Sequence, residues 1–155
     1  MSTPKYQPII SSDIPVSMID DDAGNVRVIA GNFNGLKGAA TTFSPINIWD
    51  IYLKAGKCLE FEIEQDHNTI LFLRSGTVRH TDETATTVIS PMQIALLDKF
   101  GSRVRLEAME ETQMLVLSGL PLDEPIAARG PFVMNTQAEL QQAMIDFKSG
   151  RMGKL

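Results

Sequence analysis

From Val26 to Leu117 the chain is a succession of short apolar runs separated by small polar turn residues. Val26–Ile29, Ile46–Leu53, Leu59–Ile63, Thr69–Leu73, Thr77–Arg79, Thr86–Ile89, Gln93–Leu97, Arg103–Glu107 and Gln113–Leu117 each read as a strand. Close spacing with Gly-, Asn- and Ser-containing connectors is the pattern of a β-sandwich or barrel. The clearest period of two runs through Leu59, Phe61 and Ile63, interleaved with Glu60, Glu62 and Glu64. It predicts a half-buried strand with the apolar set inward and the glutamates on a solvated face, because burying the apolar side gains several kcal/mol (about 1.5–3 per large side chain) while unpaired buried carboxylates cost far more.

Both ends depart from this pattern. Residues 1–24 carry Pro4, Pro8 and Pro15 and close on the turn cluster Asp20–Asn25, which predicts an extended N-terminal arm. Near the C-terminus, Thr136 and Glu139 form a capping box, and Leu140, Ala143, Met144 and Phe147 fall on one stripe of a helix at about 137–149. Gly150 suits the position after the helix, with Lys148 and Arg151 favourable at its C-terminal dipole. A helix this short is marginal alone, so the stripe must pack on something.

Composition narrows the function classes. The 155 residues make one domain's worth of chain, with 43% hydrophobic and 21% charged residues. The formal net charge is −5 and no Lys/Arg cluster stands out, which argues against direct nucleic-acid binding. A single cysteine, Cys58, fits a reducing compartment. The first residues lack the basic-then-apolar pattern of a signal peptide, and no apolar run approaches membrane-spanning length. The expected localisation is cytoplasmic, with no membrane partner.

Candidate chemistry is sparse. His67 and His80 are the only histidines, so a three-imidazole centre is excluded by counting. His67, between Asp66 and Asn68, reads as an exposed turn residue, and a centre combining it with His80 and a carboxylate has no spacing in its favour. Cys58 reads as a small strand residue. Gly31, Gly35 and Gly38 lack the dinucleotide-binding spacing, and no nucleophile elbow or phosphate loop is present. No catalytic residue and no cofactor are assigned.

Several segments resemble the C-terminal domain of the pirin family: Arg27–Gly31 leading into Phe33-Asn34-Gly35-Leu36-Lys37-Gly38, then Thr42–Ile46, Leu117-Ser118-Gly119, Pro121–Ile126 and Gly130–Thr136. The match runs from about residue 25 to 153, and Pro4–Gln7 resembles the linker between the two halves of a full-length pirin. The resemblance implies an all-β fold. The expectation is a single cupin-type antiparallel β-barrel (double-stranded β-helix or jelly roll) over 25–155, with an extended arm over 1–24 and one C-terminal helix.

It also implies that the partner half, the N-terminal barrel that carries the metal in that family, lies outside the residues that match. The first cupin motif laid on Gly56 and Gly76 puts Glu62 and Glu64 at the histidine positions and Thr69 at the glutamate position; the second puts Leu96 at the last histidine. All four have lost the expected donor, so no metal is expected. The resulting expectation is a degenerate cupin that works as a non-catalytic protein-interaction or regulatory module. It would form a homodimer or pair with a complementary N-terminal-type pirin barrel. The alternative is a quercetin 2,3-dioxygenase-like activity, either in this barrel or only after pairing with a metal-bearing partner barrel. The candidate interaction face comprises Trp49, Pro131, Phe132, Met134, Met144 and Phe147, with Gly130–Met134 an apolar, charge-poor segment.

Overall fold

The computed structural model describes residues 6–81 and 85–152; the first five residues of the predicted arm and the last three of the chain lie outside the described residues. Among the described residues fourteen strands and one α-helix follow in order: β1 (Val16–Ile19), β2 (Gly24–Ala30), β3 (Asn32–Phe33), β4 (Leu36–Lys37), β5 (Ile46–Leu53), β6 (Cys58–Glu62), β7 (Asn68–Ser75), β8 (Val78–Thr81), β9 (Thr86–Ile89), β10 (Ile94–Leu97), β11 (Arg103–Ala108), β12 (Thr112–Gly119), β13 (Ala127–Arg129), β14 (Phe132–Met134) and α1 (Gln137–Lys148). Residues up to Pro121 form one compact unit, and Leu122 onward a second.

The first unit is the predicted jelly roll. A six-stranded sheet runs β1-β2-β5-β12-β7-β10, and a four-stranded sheet runs β6-β11-β8-β9. All the strand pairs of both sheets are antiparallel. Their inner faces close on a single apolar core, in which Val28, Trp49, Ile51, Leu71, Met114 and Val116 from the large sheet meet Leu59, Phe61, Val78, Val104 and Leu106 from the small one. In β6, Leu59 and Phe61 point inward while Cys58, Glu60 and Glu62 stay exposed, as the alternation predicts.

Two readings change. The predicted arm is not separate from the barrel: its Val16–Ile19 segment, between 3-10 turns at Ser11–Asp13 and Asp20–Asp22, pairs with β2 as an edge strand of the large sheet. Ahead of it, Gln7 donates to the Ala39 carbonyl and accepts from the Thr41 amide at 2.9 and 3.0 Å, fixing the chain against the β4–β5 connection. The second correction is Trp49, which is 2% exposed and therefore not part of any interaction face. Its indole packs edge-on between Phe33 and Phe61, with centroids 5.1 and 5.5 Å away, tying the two sheets together.

In the second unit, β13 and β14 form a hairpin ahead of α1. The predicted capping box is present: Thr136 Oγ1 accepts from the Glu139 amide at 3.2 Å, and Glu139 Oε2 accepts from the Thr136 amide at 2.9 Å. Phe132 meets Phe147 edge-on at 5.8 Å, so part of the helix stripe is used locally. Among the described residues no helix is long and apolar enough to cross a membrane.

Candidate functional site

Strand alternation places three polar residues, Asn47, Thr69 and Ser118, on the inner face of the large sheet, at one end of it. Thr69 lies opposite Ser118, and Ser118 opposite Asn47, on neighbouring strands. Buried polar atoms need partners, and here they find one another and a fourth group, His67. Contrary to expectation, His67 is not an exposed turn residue; only 6% of it is accessible. The turn from Glu64 to His67 folds back through a left-handed Asp66 (φ 68°) and delivers the imidazole to the interior, where Nδ1 lies 3.0 Å from Ser118 Oγ.

The hydroxyl order points to one His67 tautomer. Thr69 Oγ1 donates to Ser118 Oγ at 3.0 Å, leaving the Ser118 proton for His67 Nδ1. That order leaves Nε2 as the ring's donor; it has no hydrogen-bond partner among the described residues, and His67 lines a cleft of about 110 Å³. Glu64 Oε2 accepts from Asn47 Nδ2 at 2.8 Å and stands 3.8 Å from His67 Nδ1. Asn47 is held in turn by the Asn32 amide, which donates to Oδ1 at 3.1 Å. Gly31 makes room for it: at φ 79° a Cβ there would overlap Asn47 Oδ1.

The cleft lining also includes His80, whose Nδ1 donates to the Arg105 carbonyl at 3.0 Å. Its Nε2 makes no hydrogen bond among the described residues. The fold thus brings together the two histidines that sequence spacing kept apart. Ile63, Leu97 and Val104 supply the apolar floor, and the 98–102 connection, with Lys99 and the highly exposed Phe100, forms the rim. Ser118, His67 and Glu64 have the composition of a hydrolytic triad without its geometry. Serine and carboxylate both approach Nδ1, whereas a relay needs them on opposite ring nitrogens.

The four positions that cupin spacing assigns to metal ligands do not converge. Glu62 is exposed at the end of β6, and Leu96 is 73% exposed on the outward face of β10. Thr69 is spent on Ser118 and Glu64 on Asn47. Among the described residues no group of three or more His, Cys, Asp or Glu is arranged to hold a metal ion. This donor set does not fit the metal that the fold family implies, since a transition ion needs several nitrogen or oxygen donors converging on one point.

The proposed interaction face on the second unit is mixed. Pro131 and Phe147 are exposed, whereas Phe132, Met134 and Met144 are half-buried. A more continuous apolar surface lies elsewhere, on the outward face of the large sheet. Leu96 of β10 lies beside Ile70 of β7, Ile70 beside Leu117 of β12, and Leu117 beside Ile48 of β5. In the adjoining row Ile94, Phe72 and Leu115 are neighbours. The row ends at Asp50, which pairs with Arg27 at 3.2 Å and Arg74 at 3.6 Å and bounds the patch. The sequence signal for this surface was the loss of alternation: Ile70–Leu73 and Met114–Leu117 are apolar at every position, as strands covered on both faces are.

Comparison with known proteins agrees with this architecture. Residues 48–153 match the family model for the pirin C-terminal cupin domain. Over 97% of this chain and 51% of its own length, a Pseudomonas aeruginosa protein named "Putative quercetin 2,3-dioxygenase PA2418" is 44% identical. Human Pirin is 32% identical over 99% of this chain and 52% of its own length. The crystal structure of quercetin 2,3-dioxygenase from Acinetobacter baumannii superposes with a TM-score of 0.86 at 42% identity, covering 98% of this chain and 52% of that one. The chain thus spans about half the length of the curated relatives it matches. With its two-sheet jelly roll and this match, the chain belongs to the pirin family, as a domain of the pirin C-terminal cupin type.

Proposed function

We propose that this domain is a non-catalytic interaction module that docks a second cupin barrel through the outward face of its six-stranded sheet. The observation that carries the reading is the unbroken apolar row Leu96, Ile70, Leu117 and Ile48 across four strands, with Leu96 and Ile94 more than 60% exposed. A solvated sheet face normally alternates to polar residues, and a contiguous apolar patch marks a contact surface. The relatives are about twice as long as this chain, which favours an N-terminal-type pirin barrel as the partner. A second copy of the chain would cover the same face when that barrel is absent. The single cysteine favours a reducing, cytoplasmic setting.

Light scattering across a concentration series tests the docking. Self-association near 100 μM that is abolished by a charge placed in the row supports it; a monomer at every concentration, with no partner barrel bound, rejects it. A second reading, quercetin 2,3-dioxygenase-like activity in combination with a metal-bearing barrel, is favoured by the names of the relatives at 44% and 42% identity. Flavonol turnover by the isolated chain with added Fe²⁺ would displace the non-catalytic reading. Turnover confined to the two-barrel complex would assign the chemistry to the partner.

A further inference from the structure

The cleft between His67 and His80 has no task in docking, and its polar groups are unbalanced. Its two carboxylates are already served by the fold: Glu64 Oε2 accepts from Asn47, and Asp98 Oδ1 accepts from the Lys99 and Phe100 amides at 2.6 and 3.4 Å. Arg103 is drawn to Glu60, its Nε 3.2 Å from Oε1. Among the described residues, the cleft groups that can donate without a protein acceptor include His67 Nε2–H, the Ser102 hydroxyl and the exposed Lys99 ammonium. A donor without a protein partner, on a side chain that fold-internal bonds already hold in the lining of an open cleft, is a group that a ligand can pair at little ordering cost. The remaining lining, Ile63, Leu97, Val104 and the rim Phe100, is apolar.

We propose that this cleft binds a small organic carboxylate, with one oxygen accepting from His67 Nε2–H, the charge facing Lys99, and an apolar or aromatic body against Ile63 and Val104. A carboxylate accepts strongly from such donors. Bare phosphate would satisfy the donors and leave the apolar wall uncovered. The site needs no partner barrel, so its failure and that of the docking surface are separable.

The test follows the imidazole Cε1–H resonances of the full chain by NMR while benzoate, acetate or inorganic phosphate is added. Expected is a saturable movement of the His67 signal with benzoate, at least about tenfold tighter than with phosphate, because an aromatic body buries apolar area. Lys99→Ala, in an exposed loop where folding is not at stake, weakens benzoate about three- to fivefold, the scale of an exposed charge pair. His67→Gln keeps an N–H donor and retains more affinity than His67→Phe. No saturable movement up to about 50 mM, or equal binding by Lys99→Ala, overturns the proposal; phosphate binding as tightly as benzoate overturns the carboxylate assignment.

Discussion

Replacing Leu96 by Arg separates folding from docking. Leu96 is 73% exposed at the end of the apolar row, so in the free chain the substitution removes little packing, and its effect on stability should stay within about 0.5 kcal/mol. Docking is different. Full burial of a leucine side chain is worth about 1.5–3 kcal/mol, and roughly three-quarters of that, about 1–2 kcal/mol, is still available for a partner to cover. Arg forfeits this gain and adds the desolvation of a guanidinium, at least about 2 kcal/mol more, since Asp98 two residues on is already held by the Lys99 and Phe100 amides. Asp50, the nearest carboxylate in the neighbouring row, already holds Arg27 and Arg74. The sum, about 3–4 kcal/mol, corresponds to a loss of several-hundred-fold in association. Sedimentation equilibrium would read that loss and thermal unfolding the stability. Association unchanged from wild type, or a melting point lowered by more than about 5 °C, would refute the reasoning.

Further substitutions address the interior. Trp49→Ala should cost about 3–5 kcal/mol in urea unfolding, a large part of a domain's stability, because the indole fills the space between Phe33 and Phe61. Trp49→Phe should cost less than half as much, since the indole Nε1–H is buried without a hydrogen-bond partner and its removal relieves that penalty; equal costs would contradict this. Ser118→Ala should destabilise by about 1–3 kcal/mol by leaving His67 Nδ1 and Thr69 Oγ1 unpaired, and a neutral result would dissolve the network. Gly31→Ala should cost at least about 1–2 kcal/mol from the left-handed backbone alone, and should displace Asn47 and release Glu64, seen as a shifted His67 resonance.

What could be read from the sequence followed from local periodicity. Ile46–Leu53 and Thr86–Ile89 emerge with the bounds that the pattern predicts, and the Thr136–Glu139 box starts the helix where expected, since each depends only on neighbours within a few residues. The cleft was out of reach because it is assembled over long separations. His67 and Ser118 are 51 residues apart, and only the β7–β12 register brings them together. A hint was present in the polar residues Asn47, Thr69 and Ser118 at inward positions of otherwise apolar strands. Trp49 admitted both a core and a surface reading because Ile48, Asp50 and Tyr52 make both faces of β5 look mixed; its burial decides for the core, and the outward face is itself largely apolar.

The docking claim meets its most direct test in calorimetric titration of the chain with the separately produced part of the 44%-identical Pseudomonas relative that this chain does not match. The account predicts saturable one-to-one binding, with the heat lost when Leu96→Arg is titrated instead. No binding by the wild-type chain, or equal binding by both, would contradict it.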